Sequence, residues 1–498
     1  MTTLATSPAP LMLSVSGCRG VVGSSMSPEV AARFGLVAGA YFRERFSGTG
    51  RPLVVIGRDG RVGGQILAQA AAAGLAGAGC DVLDLGVAMT PTVGVMVDAK
   101  AAAGGIVVTA SHNPQHWNGL KPMIRENSGL RSTIGAPSAS APPKAFADQL
   151  IERYRAAERA GAPSVGYDAL GEITPAATGA ALDLPSEGAF AHIQKVRDAL
   201  SAVGIAEDRR WQALRCVVDS VNASGREAAR HFLGQTLAHH LGDSPSGVFP
   251  HTPEPTRENL QHLCRFVADK GASVGFAQDP DADRLALIDE TGAYIGEEYT
   301  LALCAQAVLE AEQSAGRSVA GATLCVNLST SRMIEDVAQR FGARVVRTAV
   351  GEANVVEAMK SHGAIFGGEG NGGVIWPRVT YIRDSLSGMG LILGLLARTG
   401  RRLSELAAAI PAYAIVKRKA DLPDLALAPR AVEAVARAFP GLPHDRQDGI
   451  RIEFAQQRAW LHVRGSNTEP IIRLIAEAPS TDIADRILGT AQSAIATG

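Results

Sequence analysis

The chain runs to 498 residues, too many for one hydrophobic core, so three or four domains are expected. Apolar residues at 46% and charged ones at 19% describe an ordinary globular protein, which excludes disordered and fibrous classes. Lys and Arg number 48 against 49 Asp and Glu, so no global field recruits nucleic acid, and any anion must be met by locally placed arginines and lysines. The six cysteines (Cys18, Cys80, Cys216, Cys264, Cys304, Cys325) stand far apart with no CxxC pair, as buried thiols of a reducing compartment do. No apolar stretch approaches the roughly 20 residues that cross a bilayer. Met1 to Pro10 lacks the basic start and apolar core of a signal peptide, so a cytoplasmic address without a membrane partner is expected.

In chain order, Leu53-Ile56 reads as a strand, Gln65-Ala78 as an alanine-rich helix, Asp81-Leu85 as a second strand and Gly104-Val108 as a third. The third ends in Thr109-Ala110-Ser111-His112-Asn113-Pro114, which places the Ser111 hydroxyl on a loop at a sheet's edge, where α/β proteins carry their chemistry. A plain strand-to-turn corner is the alternative for that stretch alone.

Strand Leu214-Asp219, helix Gly225-Leu233, helix Thr256-Asp269 and strand Ser273-Ala277 form a second round. It ends in Asp279-Pro280-Asp281-Ala282-Asp283-Arg284. Carboxylates at i, i+2 and i+4 repel unless a hard cation neutralises them, and all-oxygen sites select Mg²⁺ or Ca²⁺. An EF-hand fits poorly: Glu290 falls at its twelfth position, but Arg284 replaces the glycine and Leu285-Ile288 reads as a strand.

A third round runs through Thr323-Val326, helix Ser331-Phe341, Arg344-Arg347, helix Glu352-His362 and Ala364-Phe366. It leads to Gly367-Gly368-Glu369-Gly370-Asn371-Gly372-Gly373. Five glycines in seven residues are more freedom than a plain connection needs. Glu369 and Asn371 would project from that loop to grip vicinal hydroxyls of a sugar. From about Tyr413 come helix Pro429-Ala438, strands Arg451-Phe454, Trp460-Val463 and Ile471-Ile475, and helix Thr481-Ala496. Between the last two strands, Arg464-Gly465-Ser466-Asn467-Thr468-Glu469-Pro470 and then Arg473 offer close backbone, neutral donors and forked cations, which suit a phosphate dianion.

Strands alternating with helices argue for parallel or mixed sheets, an α/β class. Breaks in periodicity divide the chain into residues 1–160, 161–310, 311–411 and 412–498. The Ser, Ala and Pro run Arg131 to Lys144 reads as a mobile loop, and Ala160 to Pro185 as a bridge between the first two domains. Each loop of interest then lies on a different domain, so the active site is expected in the central cleft where all four meet.

A nucleophile, a metal triad, a sugar grip and a phosphate clamp, in that order, resemble the α-D-phosphohexomutase superfamily. The resemblance extends from Ser16-Gly17-Cys18-Arg19-Gly20 through Val54-Asp59 and His251-Thr252-Pro253-Glu254-Pro255 to the final helix. It implies three similar mixed α/β domains and a smaller α+β C-terminal one. It further implies that Ser111 carries the phosphoryl group and, with Asp279, Asp281 and Asp283, holds Mg²⁺. Arg19 and Lys121 match basic residues beside the phosphoserine, and His112 joins them as a catalytic candidate. Arg284, Glu369, Asn371, Arg464, Ser466, Asn467, Thr468 and Arg473 are the expected substrate contacts.

Two departures stand out. Pro280 and Ala282 replace the alternating glycines that many members have in the metal loop. In the sugar loop, phosphomannomutase/phosphoglucomutase enzymes often carry Gly-Glu-Met-Ser-Gly-His; here Asn371 replaces the serine and Gly373 the histidine, which leaves Lys121 and Arg19 as the nearby candidates for proton transfer.

The implied activity interconverts hexose 6-phosphate and hexose 1-phosphate through a phosphoserine and a hexose 1,6-bisphosphate, which also serves as activator. Glucosamine phosphate is the expected substrate, with phosphomannomutase or phosphoglucomutase activity as the alternative. A metal-dependent sugar phosphatase or a non-catalytic sugar-phosphate binder is the rival from another class. The expected partners are small sugar phosphates, with the chain a monomer or homodimer.

Overall fold

The computed structural model describes residues 10–126, 137–178, 184–234, 238–466 and 470–497. Three of its sheets repeat one strand order. In the first, Leu53–Arg58 pairs in parallel with Asp81–Val87 on one side and with Gly104–Val108 on the other, and Gly104–Val108 then pairs antiparallel with Trp117–Ile124. In the second, Cys216–Asp219, Ala238–Leu241, Val274–Gln278 and Leu285–Asp289 take the same four places with the same directions. In the third, they are Thr323–Asn327, Arg344–Thr348, Phe366–Glu369 and Gly373–Ile375. The repeat, too weak to see in residue identity, is explicit in topology. The fourth sheet is wholly antiparallel, in the order Ala414–Asp421, Ile471–Ala478, Ala459–Gly465, Ile450–Phe454 and His444–Asp445.

This order places the chemistry. Each serine, metal and sugar loop joins the third strand of its sheet to the antiparallel fourth, and the phosphate loop joins two antiparallel strands of the last sheet. The central strands are buried on both faces, as continuous apolar runs between helices require. The first sheet gains a hairpin, Met12–Ser14 with Gly17–Val21, which brings Arg19 alongside Trp117–Ile124 and hence near Lys121. The segment expected as a bridge contributes an edge strand, Ile173–Pro175, beside Asp81–Val87. Of the Arg131 to Lys144 loop, residues 131–136 lie outside the described residues; farther on, Ser140 bridges to Ile124 and Tyr381.

Helix starts carry the expected chemistry. Pro28–Arg45 begins at Ser27, whose side chain accepts from the Val30 amide, with Pro28 and Glu29 in the first turn and Arg43 and Arg45 in the last. The helix anticipated from Thr256 begins instead at Gln261. Asn259 Nδ2 reaches back to the Glu254 carbonyl at 2.8 Å and holds the intervening residues in turns.

One continuous core joins the second and third sheets and takes in Met89 and Val95 from the first unit. The fourth unit has a core of its own, built from Val435, Ile452, Leu461, Leu474 and Leu488 among others. Among the described residues, no helix is long and apolar enough to cross a membrane.

Candidate active site

Ser111 sits at the tip of the first hairpin with a positive φ of 49°, a conformation that L-residues adopt only under constraint. The constraint is visible. Thr109 Oγ1 accepts the Ser111 amide at 2.8 Å and donates to Asp59 at 2.7 Å, while Asp59 pairs with the fully buried Arg61 at 2.8 Å. Arg61 Nη2 donates to the Ser111 carbonyl at 2.5 Å and Nη1 to the Trp117 carbonyl at 2.6 Å. The serine backbone is thus clamped from below, and its hydroxyl points outward to donate to Asp279 Oδ2 at 2.9 Å across the domain boundary. His112 Nδ1 lies 3.4 Å from the same Oγ. Burial, with Arg284 and Arg19 nearby, pushes the His112 pKa down to about 3, so its ring is neutral.

Asp279, Asp281 and Asp283 are each 0% exposed, and their carboxylates lie within 4.8 Å of one another. Ala282, between them, has φ 55°, a left-handed conformation that favours glycine. Burial and the two neighbouring aspartates raise the Asp279 pKa well above the carboxylate range. Asp281 Oδ1 and Asp283 Oδ1 are buried without a hydrogen-bond partner among the described residues. Buried acceptors are almost always satisfied. Orphaned carboxylate oxygens converging beside a serine hydroxyl fit a hard cation, so this donor set suits a metal ion.

Two cations share the rest of the charge. Lys121 Nζ lies 2.9 Å from Asp283, 3.7 Å from Asp281 and 3.8 Å from Glu352. Burial acts to lower its pKa, but Asp283, Glu352 and Asp281 outweigh that and hold it raised. Arg383 forks between Asp283 at 2.6 Å, Glu369 at 2.9 Å and Glu352 at 3.3 Å, binding metal loop, sugar loop and a helix start together. Arg19 Nη1 reaches Asn113 at 3.3 Å and lies in the field of Asp281 and Asp283. The Arg284 amide donates to Asp279 at 3.1 Å, while its Nε is buried without a partner.

The sugar loop's glycines serve closeness more than freedom. Gly372 has φ +79°, and a Cβ there would meet the Leu285 carbonyl oxygen at 2.3 Å. A Cβ on Gly373 would stand 2.3 Å from Arg383 Cδ, so any side chain there, a histidine included, requires this arginine to shift. Glu369 is 6% exposed, and its two oxygens accept from Asn327 Nδ2 at 2.8 Å and from Arg383. Asn371 Oδ1 accepts the Gly373 amide at 3.3 Å.

Of the phosphate loop, Asn467 and Thr468 lie outside the described residues. Arg464, its side chain 16% exposed, is 3.9 Å from Asp448, and its Nε makes no hydrogen bond among the described residues. Arg473 stands directly across from Arg464 in the sheet, and Ser466 is buried at the strand end. Burial, together with Arg473, lowers the Arg464 pKa against the opposing fields of Asp448 and Glu369, which places clamp and sugar loop within electrical reach.

Sequence reasoning did not find Arg383, Glu352 or Thr90, whose hydroxyl donates to Asp281 Oδ2 at 2.7 Å. Arg383 precedes the helix-capping Asp384, and a basic residue beside a cap carries no distinctive pattern.

Comparison with known proteins agrees with this geometry. Models of the phosphoglucomutase/phosphomannomutase family match in order: alpha/beta/alpha domain I over residues 12–133, domain II over 191–292, domain III over 296–413 and the C-terminal domain over 414–490. A phosphoglucomutase/phosphomannomutase of Thermococcus kodakarensis is 33% identical over 95% of both chains. A probable phosphoglucosamine mutase of Methanopyrus kandleri is 34% identical over 94% of each. The crystal structure of a phosphoglucomutase/phosphomannomutase family protein from Burkholderia thailandensis superposes with a TM-score of 0.77 at 26% identity, covering 98% of both chains. The matches span all four loops. The chain belongs to the phosphoglucomutase/phosphomannomutase family, within the α-D-phosphohexomutase superfamily.

Proposed function

We propose that this protein is a phosphohexomutase, an isomerase that moves a phosphoryl group between O6 and O1 of a hexose, with glucosamine phosphate as its preferred substrate and phosphoserine on Ser111 as the working enzyme form. The observation that carries it is the Ser111 hydroxyl 2.9 Å from Asp279 in a buried aspartate triad that has unpartnered oxygens. Mg²⁺ is the metal proposed for Ser111, Asp279, Asp281 and Asp283, because a compact all-oxygen set suits a small hard cation that completes its shell with phosphate oxygens. When bound, it offsets phosphoryl charge.

Transfer breaks the bond from phosphorus to Ser111 Oγ and forms one from phosphorus to the sugar's free hydroxyl oxygen. The proton that hydroxyl gives up passes, by way of His112, to the departing Ser111 oxygen. His112, neutral and 3.4 Å from Ser111 Oγ, is the proposed acceptor, while Lys121 and Arg19 supply positive charge and donors to the phosphoryl oxygens. The product is a hexose 1,6-bisphosphate. It turns over in the cleft, and its other phosphate passes to Ser111 by the reverse chemistry. A trace of the same bisphosphate phosphorylates the resting enzyme, hence its role as activator. Arg464, Ser466, Asn467, Thr468 and Arg473 hold the non-reacting phosphate. The fourth unit, with its separate core, is the part that releases and regrips during the turn.

Substrate choice rests on C2. Glu369 and Asn371 are proposed to meet the 3- and 4-hydroxyls, which the candidate sugars share. An ammonium at C2 needs acceptors, and Glu297 Oε1 is buried without a partner among the described residues, in the field of Arg284, Lys417 and Arg383. The Arg383 guanidinium, which fills the space beside Gly373, is neutralised by three carboxylates and does not repel an amino sugar. Mannose or glucose phosphate is the second reading, favoured by the name of the Thermococcus relative. The chain's free thiols, buried except for half-buried Cys264, fit a cytoplasmic setting.

The test is a panel of glucosamine, mannose and glucose phosphates, each assayed with a trace of its 1,6-bisphosphate. The highest kcat/KM is expected for glucosamine 1-phosphate. A tenfold advantage for mannose 1-phosphate, about 1.4 kcal/mol, reverses the substrate choice and leaves the mutase. Phosphate release without isomer formation makes the protein a phosphatase instead.

A further inference from the structure

Away from the cleft, the end of strand Cys216–Asp219 carries a second cluster. Ligand atoms of Asp219, His251 and His262 lie within 4.8 Å of one another. Asp219 is 1% exposed. Its Oδ1 accepts the Val221 amide at 2.9 Å. Its Oδ2 faces His251 Nε2 at 2.9 Å and His262 Nε2 at 2.8 Å. On the other side of the His251 ring, Nδ1 stands 2.8 Å from the Thr252 carbonyl oxygen.

That last contact decides the ring's chemistry. A carbonyl oxygen only accepts, so Nδ1 carries the proton, and in a neutral imidazole Nε2 is then a bare lone pair. The lone pair points at a carboxylate oxygen, which also only accepts. Two acceptors hold 2.9 Å only when a positive centre lies between them, either a second proton on the ring or a metal ion. A histidine that gives its other N–H to a backbone carbonyl is oriented as metal-ligating histidines are.

We propose that Asp219, His251 and His262 form a zinc site, distinct from the aspartate triad in both place and ligand type. Two imidazole nitrogens and a carboxylate oxygen suit Zn²⁺, whereas the all-carboxylate triad suits a hard cation. Bonds of about 2.0–2.1 Å at tetrahedral angles separate ligand atoms by about 3.3 Å. Opening the present spacing by a few tenths of an ångström meets that requirement, and His262, whose side chain is 40% exposed, is free to move. A water takes the fourth position. The ion would tie the loop bearing His251 and the helix bearing His262 to the strand end. The same loop braces the serine hairpin: the Phe249 amide donates to Gln115 Oε1 at 2.7 Å, Gln115 Nε2 donates to the Gly247 carbonyl at 3.0 Å, and Glu254 lies 4.0 Å from His112.

The experiment strips the full chain of metal with a chelator and dialyses it against Zn²⁺ in excess Mg²⁺. Bound zinc and melting temperature are then measured for wild type, His251→Ala and His262→Gln. Wild type is expected to hold one more zinc equivalent than either variant, with affinity in the variants weaker by on the order of 100-fold. Zinc should raise the melting temperature of wild type alone. Equal zinc in wild type and His262→Gln overturns the site, as does a wild type that binds none, which leaves a protonated His251 paired with Asp219. Should His251→Ala not fold, His262→Gln decides alone, because its ring is partly in solvent.

Discussion

The aspartate loop at Asp279 and the loop at Arg464 are held in opposite ways. Every aspartate of the metal loop is buried and tied to another unit: Asp279 to Ser111, Asp281 to Thr90, and Asp283 to Lys121 and Arg383. That loop grows from a core which runs unbroken from the second sheet into the third. Arg464 has a 3.9 Å ion pair within its own unit and a buried Nε that makes no hydrogen bond among the described residues. Its unit has a separate core and meets the third through polar contacts, among them Arg451 Nε to the Leu328 carbonyl and the Arg332 amide to Glu477. The serine and aspartate end of the site is thus prebuilt, while the Arg464 end, the gripping end of the proposed mechanism, is tied less tightly among the described residues. A mutase that must let an intermediate turn over needs this asymmetry.

Breaking the prebuilt end should have the largest effect. Arg383→Ala leaves the buried Glu369 without its cation and Asp283 and Glu352 with Lys121 alone, and losing one partner of a buried pair costs about 3–5 kcal/mol. Denaturant melts in chelator should show a drop of that size, together with loss of turnover; a drop below about 1 kcal/mol would contradict the hub, given what surface substitutions cost.

The gripping end should respond in the other currency. Arg464→Ala is expected to change stability by less than about 0.5 kcal/mol, as substitutions away from packed networks do. KM should rise about 10- to 100-fold, since charge-assisted hydrogen bonds contribute about 1.5–3 kcal/mol. Bisphosphate should also appear in solution during turnover. A normal KM with no released intermediate places the phosphate elsewhere.

Smaller effects sharpen the same contrast. Gly373→Ala puts a Cβ 2.3 Å from Arg383 Cδ, and overpacking of this kind costs about 1–3 kcal/mol. Calorimetry should detect the loss, and an unchanged melting temperature would mean that the arginine yields freely.

Glu298, beneath the sugar loop, should give a pH signature. Burial raises its pKa from 4.5 to about 8. The folded state therefore keeps a proton that the unfolded chain gives up above pH 4.5, so this group's contribution to stability declines as pH rises through that window. Glu298→Gln should remove that part of the decline in pH-dependent melts; parallel curves for the two proteins would contradict it.

Legibility in the sequence follows the same division. The four loops were visible because their residue types are unusual together, and strands such as Gly104–Val108 because β-branched runs bounded by turns have few other readings. Helices Glu297–Ser314 and Ser385–Thr399 were not found, since a helix buried on nearly every side shows no apolar stripe. The sugar loop's glycines suggested freedom, yet Gly372 and Gly373 answer to Leu285 and Arg383, neighbours distant in the chain. Arg383 and Thr90 escaped because their roles come from where the fold carries them and not from their local pattern.

The proposed mechanism turns on Ser111 as phosphoryl carrier. Wild type and Ser111→Ala should be incubated with the hexose 1,6-bisphosphate and examined by intact-mass and peptide mass spectrometry, with turnover measured in parallel. One phosphate on Ser111 of wild type, none on the variant and no multiple turnover by the variant are the expected results. A phosphate found on another residue, or a Ser111→Ala protein that turns over normally, would contradict the mechanism at its root.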